Sequence, residues 1–311
     1  MNDAFVPGIA VVPWADDEML EAVAAGGGKV VDAADADGLV WTDPRDAEAL
    51  KQTLSSSTAR WVQLPFAGIE AFVGAGAIDP TRTWTCAKGI YGHACAEQAL
   101  ALMLAAARRI HHHLRATTWR APGLGSPERR LKGATVLVVG AGGIGRALIQ
   151  MVEPLGATVQ AINRSGSPVP GADVTATLDR FHELLAGADF VAITAALTAA
   201  TRGMFDRRAF EAMKDDAWLV NVARGGLVVT QDLVDALRSN TIGGAALDVT
   251  DPEPLPDGHS LWGLDNVIIT PHIANTWDMA LPELRELIGR NVARFAAGQE
   301  LEGLVDPALG Y

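Results

Sequence analysis

Apolar residues in this chain fall into short β-branched runs separated by stretches of helical length. In the first hundred residues the runs are Phe5–Val12, Val30–Asp32, Gly38–Thr42, Trp61–Leu64 and Thr83–Ala87. Alternation of this kind predicts strand–helix units and a parallel sheet, because parallel neighbours need a crossover segment. The pattern restarts near Ala134, with strands predicted at Thr135–Val139, Thr158–Ile162, Asp189–Thr194, Ala217–Val222, Gly244–Val249 and Asn266–Thr270. Helical segments separate them at Gly145–Leu155, Asp179–Leu185, Arg207–Met213 and Gln231–Ser239. Runs so uniformly apolar belong to strands buried on both faces, as in a doubly wound sheet.

Between the two βα arrays, Ala94–Arg109 is apolar and free of Gly and Pro, which predicts a buried connecting helix. Ala116–Arg130 breaks every periodicity with Pro, Gly, Ser and Arg and is read as a loop. At the end of the chain, Leu284, Leu287, Ile288, Val292 and Phe295 recur at helical spacing, so Leu281–Ala297 is a final helix returning to the first domain. A length of 311 residues exceeds what one hydrophobic core usually supports. The expected fold is therefore α/β with two doubly wound parallel-sheet domains, one of residues 1–99 plus 279–311 and one of residues 100–278.

The formal charge of −12 argues against nucleic acid, whose binding draws on clustered Lys and Arg. The short basic cluster Arg108–His113 with Arg115 reads as a solvated helix face. No stretch approaches the roughly 20 apolar residues of a membrane span, and the N-terminus lacks a signal-like pattern. Cys86 and Cys95 have neither CxxC spacing nor metal-type companions, so a reduced, cytoplasmic protein without a membrane partner is expected.

Chemistry first enters at Thr135-Val-Leu-Val-Val-Gly140-Ala-Gly142-Gly143-Ile144-Gly145, a strand running through a glycine turn into a helix. Gly140 permits the tight turn, Gly142 a close backbone approach to a pyrophosphate, and Gly145 close helix–strand packing. Gly143 and Ile144 place free N–H groups at the helix start, where an anion is favoured. This is the pattern of a dinucleotide-binding Rossmann domain. The next strand ends in Ile162-Asn163-Arg164-Ser165, with no carboxylate for a ribose 2′-hydroxyl. Arg164, assisted by Asn163 and Ser165, suits a 2′-phosphate instead, so NADP(H) is expected in preference to NAD(H).

Three further residues stand at or just after predicted strand ends, where ligands of parallel sheets bind: Arg224, Glu253 and His272. Arg is a permanent bidentate cation for a carboxylate, His exchanges a proton near neutral pH, and Glu can orient and charge that His. Reduction of a keto acid needs all three functions. Glu253 lies between Pro252 and Pro254, whose fixed φ angles stiffen the segment.

On these motifs the chain resembles the D-isomer-specific 2-hydroxyacid dehydrogenase family, which contains glyoxylate, hydroxypyruvate and 3-phosphoglycerate dehydrogenases. The residues carrying the resemblance are Val139-Gly-Ala-Gly-Gly-Ile-Gly145, Leu197-Thr-Ala-Ala-Thr201, Val220-Asn-Val-Ala-Arg-Gly-Gly226, Leu247-Asp-Val-Thr-Asp-Pro-Glu-Pro254 and Thr270-Pro-His-Ile-Ala274. The resemblance implies a Rossmann cofactor domain with a flavodoxin-like substrate domain. It makes Arg224 the binder of substrate carboxylate and carbonyl, His272 the acid–base and Glu253 its partner. It further implies that Thr198 contacts cofactor, that Asp248 holds the nicotinamide carboxamide, and that Phe66, Ala67 and Gly68 cradle the substrate carboxylate. The chain departs from the family at Ala195-Ala-Leu-Thr198, which lacks a common proline, and at Thr194, where His is frequent.

The expected activity is NAD(P)H-dependent reduction of a small, glyoxylate- or hydroxypyruvate-like 2-keto acid to the D-2-hydroxy acid, by a homodimer. The alternatives are an NAD-linked dehydrogenase of a phosphorylated hydroxy acid and a non-catalytic NAD(P)-sensing binding protein, since fold alone does not set function. His111, His112 and His113 occupy consecutive helix positions and do not converge on one metal. Trp14, Trp41, Trp84 and Trp277 read as packing residues, with Trp14 and Pro65-Phe66 near the determinants of substrate size.

Overall fold

In a computed structural model of the chain, residues 5–119 and 128–306 are described. They form two compact units, one running to Tyr91 and resuming at Trp277, the other between Gly92 and Thr276. The sequence pattern puts the divisions at 99/100 and 278/279, inside helices Gly92–Ala107 and Trp277–Ala296. The structure keeps both helices whole, because a helix is one cooperative, hydrogen-bonded element.

In the first unit, β1 (Gly8–Val12), β2 (Lys29–Val30), β3 (Gly38–Trp41), β4 (Trp61–Gln63) and β5 (Thr83–Thr85) pair in parallel in the order β2-β1-β3-β4-β5. This is the flavodoxin-like strand order. Two crossover helices, Asp17–Ala25 and Ala47–Ser55, begin where an Asp side chain satisfies a first-turn amide: Asp16 accepts from Met19 N at 2.7 Å and Asp46 from Ala49 N at 2.8 Å. The last helix, Trp277–Ala296, starts four residues earlier than its sequence pattern suggests, with Pro282 inside it.

A buried polar network ties that helix to the sheet. Asn291 Nδ2 and Thr85 Oγ1 both donate to Gln63 Oε1, at 2.9 and 2.8 Å, and Trp61 Nε1 donates to Thr85 Oγ1 at 2.8 Å. Asn291 also binds both backbone groups of Glu302, which aligns the following residues as an antiparallel extension at Thr85 and Leu304.

The second unit holds seven parallel strands, β6 (Thr135–Val139), β7 (Thr158–Ile162), β8 (Val174–Ala176), β9 (Phe190–Ile193), β10 (Trp218–Asn221), β11 (Gly244–Leu247) and β12 (Val267–Ile269). Their order is β12-β11-β10-β9-β6-β7-β8. The chain therefore winds outward from β6 to β8, then returns to the other side of β6. Such a reversal opens a ligand crevice at the strands' carboxyl ends.

Strand alternation feeds two cores in this unit. Leu137, Val139, Val191, Ile193 and Leu219 pack with Phe181, Phe205, Phe210 and Leu233 on one face. Val136, Val138, Ala192 and Val220 pack with Leu102, Met103, Leu148 and Ile149 on the other. Strand β8 has no counterpart in the hydrophobic pattern. It is a three-residue, only partly buried edge strand, too short for alternation to register. Of the predicted loop Ala116–Arg130, residues 120–127 lie outside the described residues. Among the described residues no helix is long and apolar enough to cross a membrane.

Candidate functional site

The glycine turn leaves β6 at the topological switch. Gly140 has φ +103, and a Cβ there would lie 2.4 Å from Ala195 Cα, so only glycine fits. A Cβ on Gly145 would lie 2.4 Å from Gly140 O, and Thr194 Oγ1 donates to that same carbonyl at 2.8 Å. Thr194, where the family often has His, thus braces the turn against β9. Gly142 caps helix Gly143–Val152 without a side-chain bond, and a Cβ on it would meet nothing within 4 Å. Gly142 and Gly143 are exposed and Ile144 is half-buried. An open helix N-terminus with backbone donors and no side chain in front fits the pyrophosphate of a dinucleotide.

Beyond β7, Arg164 and Ser165 are exposed. The Asn163 side chain is used internally. Its Oδ1 accepts from Ser165 N at 3.1 Å and Gly166 N at 2.6 Å, while Nδ2 donates to Ser167 O at 2.8 Å. Asn163 therefore shapes the loop that presents Arg164 rather than offering a free amide, an Asx turn that residue identity alone does not reveal. Thr198 is likewise occupied in a turn: its N–H donates to Thr201 Oγ1 at 2.9 Å, and the two hydroxyls lie 3.1 Å apart.

Arg224 is half-buried in the turn after β10. Asn221, 1 % exposed, holds that turn by donating to Arg224 O at 2.9 Å and accepting from Ala223 N at 3.0 Å. Arg224 Nη1 donates to Ala223 O at 2.6 Å. A Cβ on Gly225 would lie 2.0 Å from the carbonyl of Thr250, so glycine is what lets this turn close on the segment leading to Glu253. Thr230 Oγ1 donates to Asp251 O at 2.5 Å from the same side.

Glu253 Oε1 meets His272 Nδ1 at 2.6 Å, with 41 % and 48 % of the two side chains exposed. They are in contact with each other and open to a ligand. His272 has φ +52, in the left-handed region that few non-glycine residues occupy. Asp248, 2 % exposed at the end of β11, holds it there. The Asp248 carboxylate accepts from Thr270 Oγ1 at 2.5 Å, Ile273 N at 3.1 Å and Ala274 N at 3.0 Å. Where the family pattern reserves Asp248 for the nicotinamide, its oxygens here are directed at the turn that carries His272.

Thr270 and Gln98 lie in segments the sequence marks out, but it assigns neither side chain a role at the site. Gln98 Nε2 donates to Thr270 Oγ1 at 3.0 Å, extending the chain of bonds from helix Gly92–Ala107 to Asp248. The available signal was a hydroxyl two residues before a catalytic-type His at a strand end. In the first unit, Phe66 and Gly68 are half-buried and Ala67 exposed in the loop after β4.

A glycine turn at the switch point and an Arg, Glu and His on the neighbouring strand ends define a nicotinamide-dependent oxidoreductase. The chain belongs to the D-isomer-specific 2-hydroxyacid dehydrogenase family, since residues 100–274 match the profile of that family's NAD-binding domain. An uncharacterised protein of Corynebacterium melassecola is 40% identical over 301 residues, covering 94% of this chain and 97% of that one. A glyoxylate reductase of Thermococcus litoralis is 33% identical over 226 residues, 70% of this chain and 68% of the relative. Among solved structures, a D-isomer-specific 2-hydroxyacid dehydrogenase of Xanthobacter autotrophicus Py2, in complex with NADPH and MES, superposes with a TM-score of 0.85. It is 26% identical, and the match covers 99% of this chain and 100% of that chain.

Proposed function

We propose that this enzyme reduces a small 2-keto acid to the D-2-hydroxy acid, with His272 as proton donor and NADPH as the preferred reductant. The observation that carries the reading is the 2.6 Å contact of His272 Nδ1 with Glu253. With Nδ1 committed to a carboxylate, Nε2 is left to exchange a proton with the substrate oxygen. The reduced nicotinamide, when bound, supplies the hydride. Arg224, its guanidinium steadied on Ala223 O, pairs with the substrate carboxylate and steadies the carbonyl oxygen as charge develops. Glu253 orients the imidazole through that contact, and Asp248 holds the turn that carries it. Phe66, Ala67 and Gly68 remain the proposed backbone cradle for the carboxylate.

Gly140, Gly142, Gly143, Ile144 and Gly145 are assigned to the pyrophosphate, and Arg164 to the 2′-phosphate, with Asn163 and Ser165 shaping its loop. The NADPH bound by the Xanthobacter relative supports the same preference. Thr198 and Asp248 keep their proposed proximity to the cofactor through the turns they stabilise. The exposed apolar residues Leu104, Ile110, Leu114 and Trp119 crowd one short stretch of the second unit, which supports a homodimer, and sizing chromatography reads it directly. Cys86 and Cys95 are not joined in a disulfide, which accords with a reducing cytoplasm.

The deciding experiment follows loss of reduced nicotinamide with a panel of 2-keto acids, then determines the configuration of the product. Turnover to the D-alcohol is expected. No turnover with any 2-keto acid, or an L-product, defeats the reading.

A further inference from the structure

Glu253 stands in Thr250-Asp-Pro-Glu-Pro-Leu-Pro256, where three of seven residues are proline and carry no N–H. Among the described residues, no amide from Thr250 to Gly258 donates to another main-chain group. A segment without a main-chain ladder must find other donors for its carbonyls. Two hydroxyls supply them to the residues just before Glu253. Thr230 Oγ1 donates to Asp251 O at 2.5 Å, and Thr250 Oγ1 donates to Pro252 O at 2.8 Å.

Both residues are themselves well placed to hold the segment. Thr230 is the first residue of helix Thr230–Arg238, which opens without a side-chain cap bond, and its hydroxyl reaches 21 residues along the chain instead. Thr250 is pressed against the turn of Arg224, since a Cβ on Gly225 would lie 2.0 Å from its carbonyl. The Thr250 amide stands 3.5 Å from Glu253 Oε2, while Glu253 Oε1 meets His272 Nδ1 at 2.6 Å. Beyond Glu253, Trp262 Nε1 donates to Pro256 O at 3.0 Å. Side-chain donors therefore set the path of the chain on both sides of Glu253. With 41 % of that side chain exposed, packing holds it only in part, and its backbone position decides whether Oε1 reaches the imidazole.

We infer that Thr230 and Thr250 are positioning residues of the reaction: their hydroxyls hold the backbone on which Glu253 stands and so keep its carboxylate on the His272 imidazole. The inference rests on the proton transfer by His272 proposed above and adds two residues that act through Glu253. A misplacement of about 1 Å at a reacting group can cost on the order of a hundredfold in rate, so small losses of support register in turnover.

The test measures kcat and KM in Thr230→Val and Thr250→Val, which remove the hydroxyl and keep the shape of the side chain, with whichever of glyoxylate, hydroxypyruvate and phenylpyruvate the wild type turns over fastest. Expressing kcat per cofactor-binding site, titrated by nicotinamide fluorescence, keeps unfolded protein from imitating a loss of turnover. In each variant kcat should fall by about threefold to tenfold, the scale of one neutral hydrogen bond, with KM for keto acid and cofactor nearly unchanged. Thr230→Ser and Thr250→Ser keep the donor and should restore most of the rate. In a Glu253→Ala background the same valine substitutions should change kcat by less than about twofold, because no carboxylate remains to be held. A full loss in that background overturns the inference, since the hydroxyls then act on something other than Glu253. So does an unchanged kcat in either valine variant, or a serine variant no better than its valine counterpart, and both leave 2-keto acid reduction standing. Absence of wild-type turnover with every 2-keto acid removes the proposed reaction itself, and the positioning role falls with it.

Discussion

The amide of His272 donates to the carbonyl of Asp248 at 2.8 Å, and the Asp248 carboxylate takes the next two amides, Ile273 and Ala274. One buried aspartate therefore dictates the backbone path of the turn that presents the imidazole. A non-glycine residue in the left-handed region costs about 1–3 kcal/mol. Hydrogen bonds to a charged acceptor contribute about 1.5–3 kcal/mol each, so the contacts of Asp248 outweigh the strain at His272.

That balance makes Asp248 a positioning residue with a double phenotype. Asp248→Asn turns one acceptor into a donor aimed at a backbone amide that can only donate, and Asp248→Ala leaves two amides without acceptors. Each orphaned group costs about 1–3 kcal/mol, so Tm should fall by several degrees, with kcat falling as well. Thermal unfolding and steady-state kinetics check both. A variant that loses neither stability nor turnover shows that the turn holds itself.

His272 should respond in the opposite way in stability. His272→Gly relieves the left-handed strain, so its Tm should match or exceed the wild-type value while kcat drops by roughly a hundredfold or more, the usual loss for a general acid. His272→Ala should lose as much activity without the relief, and Glu253→Gln should lower kcat less than either. Cofactor binding, followed by titration of nicotinamide fluorescence, should be unchanged in all three. Near-normal kcat in His272→Ala would move the proton transfer to another group.

The sequence made the sheets, the glycine turn and the Arg224, Glu253 and His272 set legible because each rests on local pattern. Apolar runs mark β6 and β9 to β11 on their own, and strand ends predict where polar residues gather. What stayed hidden depends on side-chain hydrogen bonds across long separations. Asp248 looks the same in sequence whether it faces a cofactor or the amides of Ile273 and Ala274, and Asn163 gives no sign that its amide closes its own loop. Trp14 and Trp84 are equally apolar, and only the fold seals one and leaves the other at a strand's carboxyl end.

The proposed NADPH preference assigns the 2′-phosphate to Arg164, exposed after β7. Arg164→Ala should raise KM for NADPH by about tenfold or more, since a bidentate, charge-assisted pair to a phosphate is lost, and should barely change KM for NADH. Asn163→Ala should raise KM for both cofactors, because it unfastens the whole loop. Equal damage to NADPH and NADH in Arg164→Ala would take the 2′-phosphate away from this residue.

His111 offers a prediction about acid stability. It is 8 % exposed, packed 5.4 Å from the Trp218 ring and 4.4 Å from that of His112. Burial, reinforced by the neighbouring His112, Arg109 and Arg115, pushes its pKa down from 6.5 to about 4. Because the folded-state value lies below the unfolded one, the unfolded chain takes up a proton between those limits that the folded chain refuses. Stability should therefore fall as pH drops from about 6.5 toward 4 and hold steady above that window. At about pH 5 the cost is on the order of 1–2 kcal/mol, read as a lower urea midpoint. His111→Leu removes the titrating group while keeping the site filled, so it should flatten this slope and gain on the wild type most at low pH. Equal losses in the two proteins between about pH 8 and pH 5 would assign the acid sensitivity to other groups.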